Sequence, residues 1–377
     1  MAKAAEYGVM TIHFPGSTGV GHIFDNFDTF ADPVTGFEEQ VCTLGDYRLR
    51  SVFQPIFSFA HARPIGYEAL VRAVGPDGQA ISPVDLFSRA SSLEESILLD
   101  RSCRALHAVN FSVWAPQKTW LFLNVMPDVA AHGKSAPPFM AGMLDRAELS
   151  ANNIVIEVLE HSIDDEAAFR WAVEYYRQIG CVLAIDDFGA GASNFDRIWN
   201  VRPDIVKFDR SISVKSMEHD FVRRSLPGLV SLLHETGCLI LMEGIETREE
   251  AVIAMQSDVD MLQGFFFSKP AVRGVESGCA PFFPADLMGL ARPEAMVSTP
   301  YDRPEMQAMK QLFGEAVRGL ELGEEFSSSV FRLLSRHGVS RCFMLDQHGR
   351  QWKNNMVSRH AVNRVDPRFD PLDLFRA

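Results

Sequence analysis

Cysteine is sparse and scattered. Six occur in 377 residues, at 42, 103, 181, 238, 279 and 342, and none forms a C-x-x-C pair. Such spacing excludes a compact zinc cluster and offers no disulfide framework, so free thiols in a reducing cytoplasm are expected. Long apolar runs are also missing. None reaches the roughly 18–20 residues of a membrane span. The opening MAKAAEYGVM has one Lys and no apolar stretch behind it, so no signal peptide is expected. Positive charge is in deficit: 36 Lys and Arg face 49 Asp and Glu, a net charge of −13. An acidic chain lacks the broad positive field that nucleic-acid polymers or anionic membranes require. It can still hold a phosphate where metal ions supply the local positive charge. Internal repeats and low-complexity tracts are absent.

What is present is ordinary for a folded chain, with 47% hydrophobic and 23% charged residues. Residues 1–45 show little periodicity and read as an N-terminal arm. From there to about 275, short apolar runs alternate with amphipathic stretches. The runs are Arg50–Phe59, Pro64–Val74, Trp120–Val125, Ile154–Glu157, Val182–Ile185, Ile205–Phe208, Cys238–Met242 and Met261–Phe266. Strands separated by helix-length segments imply βαβ units and a mostly parallel sheet. About seven such units over about 230 residues fit a closed (β/α) barrel. An open dinucleotide-binding sheet would need a Gly-rich loop after its first strand, and none is present. Residues 276–300, with Gly278, Pro281, Pro284 and Pro293, read as a linker. Beyond 301, helical patterns at Glu305–Phe313 and Phe326–Arg336 precede two strands, Arg341–Leu345 and Arg350–Lys353. The turn between those strands is Asp346-Gln347-His348-Gly349.

The informative feature is where polar residues interrupt the apolar runs. Glu68 lies inside Ile65–Val71, Asn124 near the end of Trp120–Val125, and Glu157 at the end of its run. Asp186 and Asp187 follow Ile185, Lys207 sits within Ile205–Phe208, and Glu243 follows Met242. A single acid at a strand end is ordinarily a helix cap. The same placement on six strands aims all of them at one mouth, where barrel enzymes keep their chemistry. Five carboxylates and an amide oxygen make a hard-oxygen donor set suited to Mg²⁺ or Mn²⁺. Adjacent Asp186 and Asp187 let one carboxylate bridge two ions, the clamp used for in-line displacement at phosphorus.

These residues fall in an ordered series. Phe53-Gln54-Pro55-Ile56 and Tyr67-Glu68-Ala69-Leu70-Val71-Arg72 are followed by Leu123-Asn124-Val125, Glu157-Val158-Leu159-Glu160 and Asp186-Asp187-Phe188-Gly189. Val206-Lys207-Phe208-Asp209, Glu243-Gly244-Ile245-Glu246, Gln263-Gly264 and Ser268-Lys269-Pro270 complete it. The series resembles the EAL domain family of cyclic di-GMP phosphodiesterases and their degenerate receptor relatives. The resemblance implies a modified TIM (β/α)8 barrel with one antiparallel strand, hydrolysis of cyclic di-GMP to linear pGpG, two Mg²⁺ or Mn²⁺ ions per site, and a homodimer through the barrel. It assigns Glu68, Asn124, Glu157 and Asp186 to the first ion and Asp186, Asp187 and Glu243 to the second. Lys207 would contact the attacking water, and Glu243 would share in taking its proton. Glu160 would anchor the loop after Asp187. Gln54, Leu70 and Arg72 would touch the dinucleotide, with Asp209, Glu246 and Gln263 as supporting or secondary contacts. Degenerate receptors lose ligands, and this sequence keeps them all. The departures, Ala190 and Ala192 in the loop after Asp187 and Val158-Leu159 between the two glutamates, spare the ligands. The C-terminal hairpin resembles the centre of a PAS-like α+β sensor domain, although 301–377 is short for the complete fold.

Overall fold

Strand after strand in the first unit is apolar on both faces, which places these strands between an interior and a surrounding layer of helices. The computed structural model describes residues 23–31, 38–116, 118–126, 129, 138–159, 166–191, 195–274, 304–336, 339, 341–345 and 351–358. The chain divides into two compact units, Met1–Leu290 and Ala291–Ala377.

Eleven strands form one sheet in the first unit. They are β1 (Phe27–Ala31), β2 (Glu38–Leu44), β3 (Tyr47–Ser58), β4 (Arg63–Val74), β5 (Ala80–Ile81), β6 (Trp120–Asn124), β7 (Ile154–Leu159), β8 (Val182–Phe188), β9 (Ile205–Phe208), β10 (Leu239–Met242) and β11 (Met261–Leu262). Eight of them close into a ring in the order β3-β11-β10-β9-β8-β7-β6-β4, with β4 returning to β3. β3 runs antiparallel to both of its neighbours, and every other neighbouring pair in the ring is parallel. This is the (β/α)8 barrel with one reversed strand that the sequence series implies. Crossovers between the parallel strands carry α1 (Pro83–Ser88), α2 (Leu93–Trp114), α3 (Pro138–Ala147), α4 (Glu166–Ile179), α5 (Phe195–Val201), α6 (Arg210–Glu218), α7 (Asp220–Glu235) and α8 (Arg248–Gln256). No helix among the described residues is long and apolar enough to cross a membrane.

Two cores follow from the period of two along each strand. The outward residues pack against the helices in one large cluster. The inward ones fill the barrel: Ile56, Phe122, Val155, Ala184, Ile205, Leu241 and Met261 come from seven different strands and are 0% exposed. Gly66 completes this layer from β4, because a side chain there would strike the Phe122 ring. Four cysteines, Cys42, Cys103, Cys181 and Cys238, are buried free thiols.

Several strands differ from the sequence reading. β1 and β2 lie within the residues read as an arm, and β2 pairs with β3 as a hairpin through Leu44 and Tyr47. β4 outruns the barrel. It pairs with β6 only over Gly66–Glu68, then continues beside β3 and β5. β11, read as Met261–Phe266, stops at Leu262 because the backbone of Ile245 crosses there. Ile245 N–H donates to Gln263 O at 3.0 Å, and Phe266 N–H donates to Ile245 O at 3.0 Å.

In the second unit, α9 (Pro304–Glu321) and α10 (Phe326–Leu334) pack around Ala316, Phe326, Val330 and Leu334. A two-stranded antiparallel ribbon, β12 (Arg341–Leu345) and β13 (Gln351–Val357), joins them. The turn at 346–349 lies outside the described residues.

At Gly264 a Cβ would stand 2.0 Å from Ile245 O and 2.3 Å from Ile245 N. Both neighbours are backbone, so neither rotates away. Gly264→Ala is therefore expected to lower unfolding stability by about 1–3 kcal/mol, read from the denaturant midpoint at unchanged m. A variant as stable as the parent would show that this crossing tolerates a side chain.

Candidate metal and catalytic site

The polar residues of the barrel mouth stand one pleat above the apolar interior. Two positions on from Phe122, Val155, Ala184, Ile205, Leu241 and Met261 come Asn124, Glu157, Asp186, Lys207, Glu243 and Gln263. Glu68 stands two beyond Gly66. On the reversed strand Gln54 precedes Ile56 by two and lies opposite Glu68. Period-two alternation in a closed ring thus brings residues far apart in sequence onto one rim.

Lys207 sits at the centre. Its side chain is 1% exposed, and Nζ lies 2.6 Å from Glu243 Oε1, 3.0 Å from Asp186 Oδ1 and 4.0 Å from Glu68 Oε1. It also pairs closely with Glu157 Oε1. Burial alone would favour the neutral amine. The carboxylates of Asp186, Glu157, Glu243 and Glu68 override it and hold Lys207 protonated, well above the usual lysine range. Burial and mutual repulsion act in reverse on the acids. Burial and the neighbouring Glu68, Asp186 and Glu243 drive Glu157 well above the usual carboxylate range, with Lys207 opposing. Glu243 is pushed up to about 8 by burial, against Lys207 and with Asp186 and Glu68. Asp187 is raised by burial, then by Asp186 and Asp209.

Adjacent strand residues normally point to opposite faces, yet Asp186 and Asp187 share one side. Two backbone features explain this. The β8–β9 register shifts between Ile185 and Phe188, the signature of a bulge. Asp187 also adopts φ 58°, in the left-handed region. Carboxylate oxygens of Asp186, Asp187 and Glu243 consequently lie within 4.8 Å of one another.

Hydrogen bonds fix the remaining rim residues. Gln263 Nε2 donates to Glu68 Oε2 at 2.7 Å, and Asn124 Nδ2 donates to Glu68 Oε1 at 3.3 Å. Glu157 Oε2 is buried and accepts no hydrogen bond, a cost that persists only where something else satisfies it. All-oxygen donors, an orphaned buried carboxylate oxygen and acids held above their normal range together fit hard divalent cations.

The other expected contacts divide. Leu70 and Arg72 share the face of Glu68 but stand on the part of β4 beyond the ring; Arg72 is exposed, and its Nη1 donates to Val71 O at 2.9 Å. Gln54 is buried at the rim and donates to Ser268 O at 3.2 Å. Asp209 caps α6, its Oδ1 accepting from Ser211 N–H at 2.9 Å. Glu246 lies outside the cluster and pairs with Arg210 at 2.6 Å. Glu250 Oε2 accepts from Glu246 N–H at 2.7 Å, within the capping box that starts α8. Gln263, read as a secondary contact, belongs to the cluster through Glu68. Glu160 lies outside the described residues. Arg210 was not singled out from the sequence; only its adjacency to Asp209 marks it.

Comparison with known proteins agrees with this arrangement. A family model of the EAL domain matches residues 42–270. The probable cyclic di-GMP phosphodiesterase PdeB of Escherichia coli is 26% identical over 226 residues, 58% of this chain and 42% of that protein. The signaling protein YkoW of Bacillus subtilis is 25% identical over 227 residues, 58% of this chain and 28% of that protein. The chain therefore spans less than half the length of these curated relatives. Among solved structures, a calcium and cyclic di-GMP complex of Klebsiella pneumoniae BlrP1 aligns with a TM-score of 0.54 at 28% identity, covering 59% of this chain and 56% of that one. A standalone EAL protein from Vibrio cholerae, bound to cyclic di-GMP, shares the fold with a TM-score of 0.54 at 24% identity, over 62% of this chain and 96% of that one. With its reversed strand, its rim of oxygen donors and a family match over more than half its length, the chain belongs to the EAL domain family.

Proposed function

We propose that this chain is a metal-dependent phosphodiesterase that opens cyclic di-GMP to linear pGpG. The observation that carries the reading is the charge of the rim. Five carboxylates, Glu68, Glu157, Asp186, Asp187 and Glu243, surround the single ammonium of Lys207. With every carboxylate ionised the deficit is four positive charges, the charge of two divalent cations. Glu68, Asn124, Glu157 and Asp186 would hold one ion, and Asp186, Asp187 and Glu243 the other. Mg²⁺ or Mn²⁺ is the hard cation this donor set takes. The bound ions supply Lewis acidity, which lowers the pKa of water and offsets charge on the phosphodiester.

The protein groups do the rest. Lys207 orients the attacking water, and a Glu243 carboxylate oxygen takes its proton. Oxygen attacks phosphorus in line, the P–O3′ bond breaks, and the 3′-oxygen leaves as a hydroxyl, the proton taken up by Glu243 being returned to it through solvent water, which leaves a 5′-phosphate. Arg72, on the strand extension above the rim, offers a guanidinium to the phosphate not under attack. Leu70 on the same face packs against a base, with Gln54 beside it. The reading also carries a homodimer formed through the barrel and a cytoplasmic setting. A relative named as a probable cyclic di-GMP phosphodiesterase and a neighbour solved with cyclic di-GMP support the hydrolytic part of the reading.

Glu68→Ala is expected to lose about 100-fold or more in hydrolysis, together with its tightly held Mn²⁺. Product chromatography and metal analysis of the same sample test this; near-parental turnover with normal metal content would overturn the assignment.

Cation binding should also depend on pH. Without a cation Glu243 titrates at about 8, well above the usual carboxylate range. Binding must displace that proton, so Glu243 alone makes Mn²⁺ affinity rise by up to about tenfold per pH unit from about pH 5 to about pH 8, and the raised Glu157 and Asp187 steepen the rise. In the same window folded Glu243 keeps a proton that it has released in the unfolded chain, while buried His107, lowered to about 3, acts in the opposite sense only below its usual titration range. The Glu243 contribution to stability without metal therefore falls as pH rises from about 5 to about 8, seen without the histidine offset above about pH 6.5, and Mn²⁺ reverses the fall. Calorimetry in buffers of different ionisation enthalpy reads the released protons directly. Affinity independent of pH would remove Glu243 from the ligand set.

A further inference from the structure

The chain leaving β6 carries Asn124 at its last strand position, and a hydrogen bond pins each of the next two residues. Val125 N–H donates to Glu157 O at 3.2 Å. Met126 N–H donates at 3.0 Å to Oδ1 of Asp100, which lies 26 residues earlier on α2. Asp100 is 2% exposed, and Arg104, one turn further along α2, is 3% exposed. Asp100 Oδ2 accepts from Arg104 Nε at 2.8 Å and also from Arg104 Nη2. Arg104 reaches the Tyr176 hydroxyl on α4 at 3.4 Å, and its guanidinium lies 5.0 Å from the centroid of Phe139 on α3.

A buried ion pair is an expensive way to hold helices together. Two apolar residues of similar volume often serve as well or better. What they cannot do is accept a hydrogen bond. Asp100 divides its carboxylate: Oδ2 takes both Arg104 donors, and Oδ1 takes a single backbone donor two residues past Asn124. A charged acceptor in a buried site strengthens such a bond relative to a neutral one.

We infer that Asp100, locked by Arg104, is a positioning residue that sets the direction of Asn124 at the barrel rim. It acts through the Met126 amide and touches neither substrate nor ion. The inference rests on reading Asn124 as an ion ligand. Supporting groups of this kind govern ligand orientation, and their removal typically costs about 10–100-fold in metal affinity.

The test is a mutant cycle. One arm replaces the pair together, Asp100→Leu with Arg104→Leu, so that no charge is left buried alone. The second arm is Asn124→Ala, and the third combines all three substitutions. Mn²⁺ affinity is measured by calorimetry, turnover with cyclic di-GMP at saturating Mn²⁺, and folding by thermal melting. The leucine pair should melt cooperatively and bind Mn²⁺ about 10–100-fold more weakly. The triple variant should be no weaker than Asn124→Ala alone, because both lesions disable one ligand. Losses that multiply, or a leucine pair that binds Mn²⁺ like the parent, would overturn the inference. So would parental binding by Asn124→Ala, since Asp100 would then have nothing to act through. Glu68→Ala keeps the two readings apart: loss there with multiplying losses here sinks only the role of Asp100.

If the leucine pair does not fold, Asp100→Asn keeps the shape and removes the charge. A role in orienting Asn124 predicts weaker Mn²⁺ binding that merges with Asn124→Ala in the double variant. A role confined to helix packing predicts a lower melting temperature with unchanged Mn²⁺ affinity.

Discussion

The repulsion among crowded carboxylates sets the terms for the whole mouth of this barrel. Glu157 and Asp186 are buried, and Glu68, Asp187 and Glu243 stand around them. Left alone, such a group would neutralise by binding protons or push its strands apart. Lys207 prevents both in part, by placing one ammonium where four of the acids converge. One ammonium does not balance them, and the strain shows in Glu243 holding its proton to about pH 8. The rim is thus organised before any cation arrives, and it remains electrostatically incomplete.

The barrel makes this tolerable because each acid comes from a strand whose next inward residue is packed apolar core. Ile205 lies below Lys207, Leu241 below Glu243 and Val155 below Glu157. Water cannot approach from beneath, so the groups interact in a medium of low polarity where attraction and repulsion are both strong. The same backbone alternation that builds the interior therefore also tunes the chemistry above it.

Much of this was legible in the sequence. Apolar runs interrupted by Asn124, Glu157, Asp186, Lys207 and Glu243 announced both the strands and their common end, since a period of two is carried by side-chain polarity. Other features left no such trace. Polarity alone would send Asp186 and Asp187 to opposite faces; the bulge and the left-handed φ of 58° at Asp187 bring them together. Gln263 is marked in the sequence only as a secondary contact implied by the resemblance; its place beside Glu68, 2.7 Å away and 195 residues distant in sequence, appears only when the ring closes. β11 looked longer because Phe265 and Phe266 are apolar, whereas the turn there is dictated by the backbone of Ile245. The arm before residue 46 shows little periodicity, yet β1 and β2 form there: β2 pairs with β3 and β1 adds to the outer side of β2.

β11 offers two residues to each neighbour, Met261 and Leu262, against Leu241 and Met242 on one side and Ser58 and Phe57 on the other. It is the stitch that turns an open curved sheet into a cylinder. Gln263, the residue immediately after it, holds Glu68 on the far side of that stitch. Unzipping this seam would separate Glu68 from its neighbour across the join and let solvent into the cylinder's filling at the same stroke. Closure of the sheet and integrity of the rim are consequently one cooperative event, and local breathing at Met261–Leu262 would register first as loss of the Gln263–Glu68 hydrogen bond.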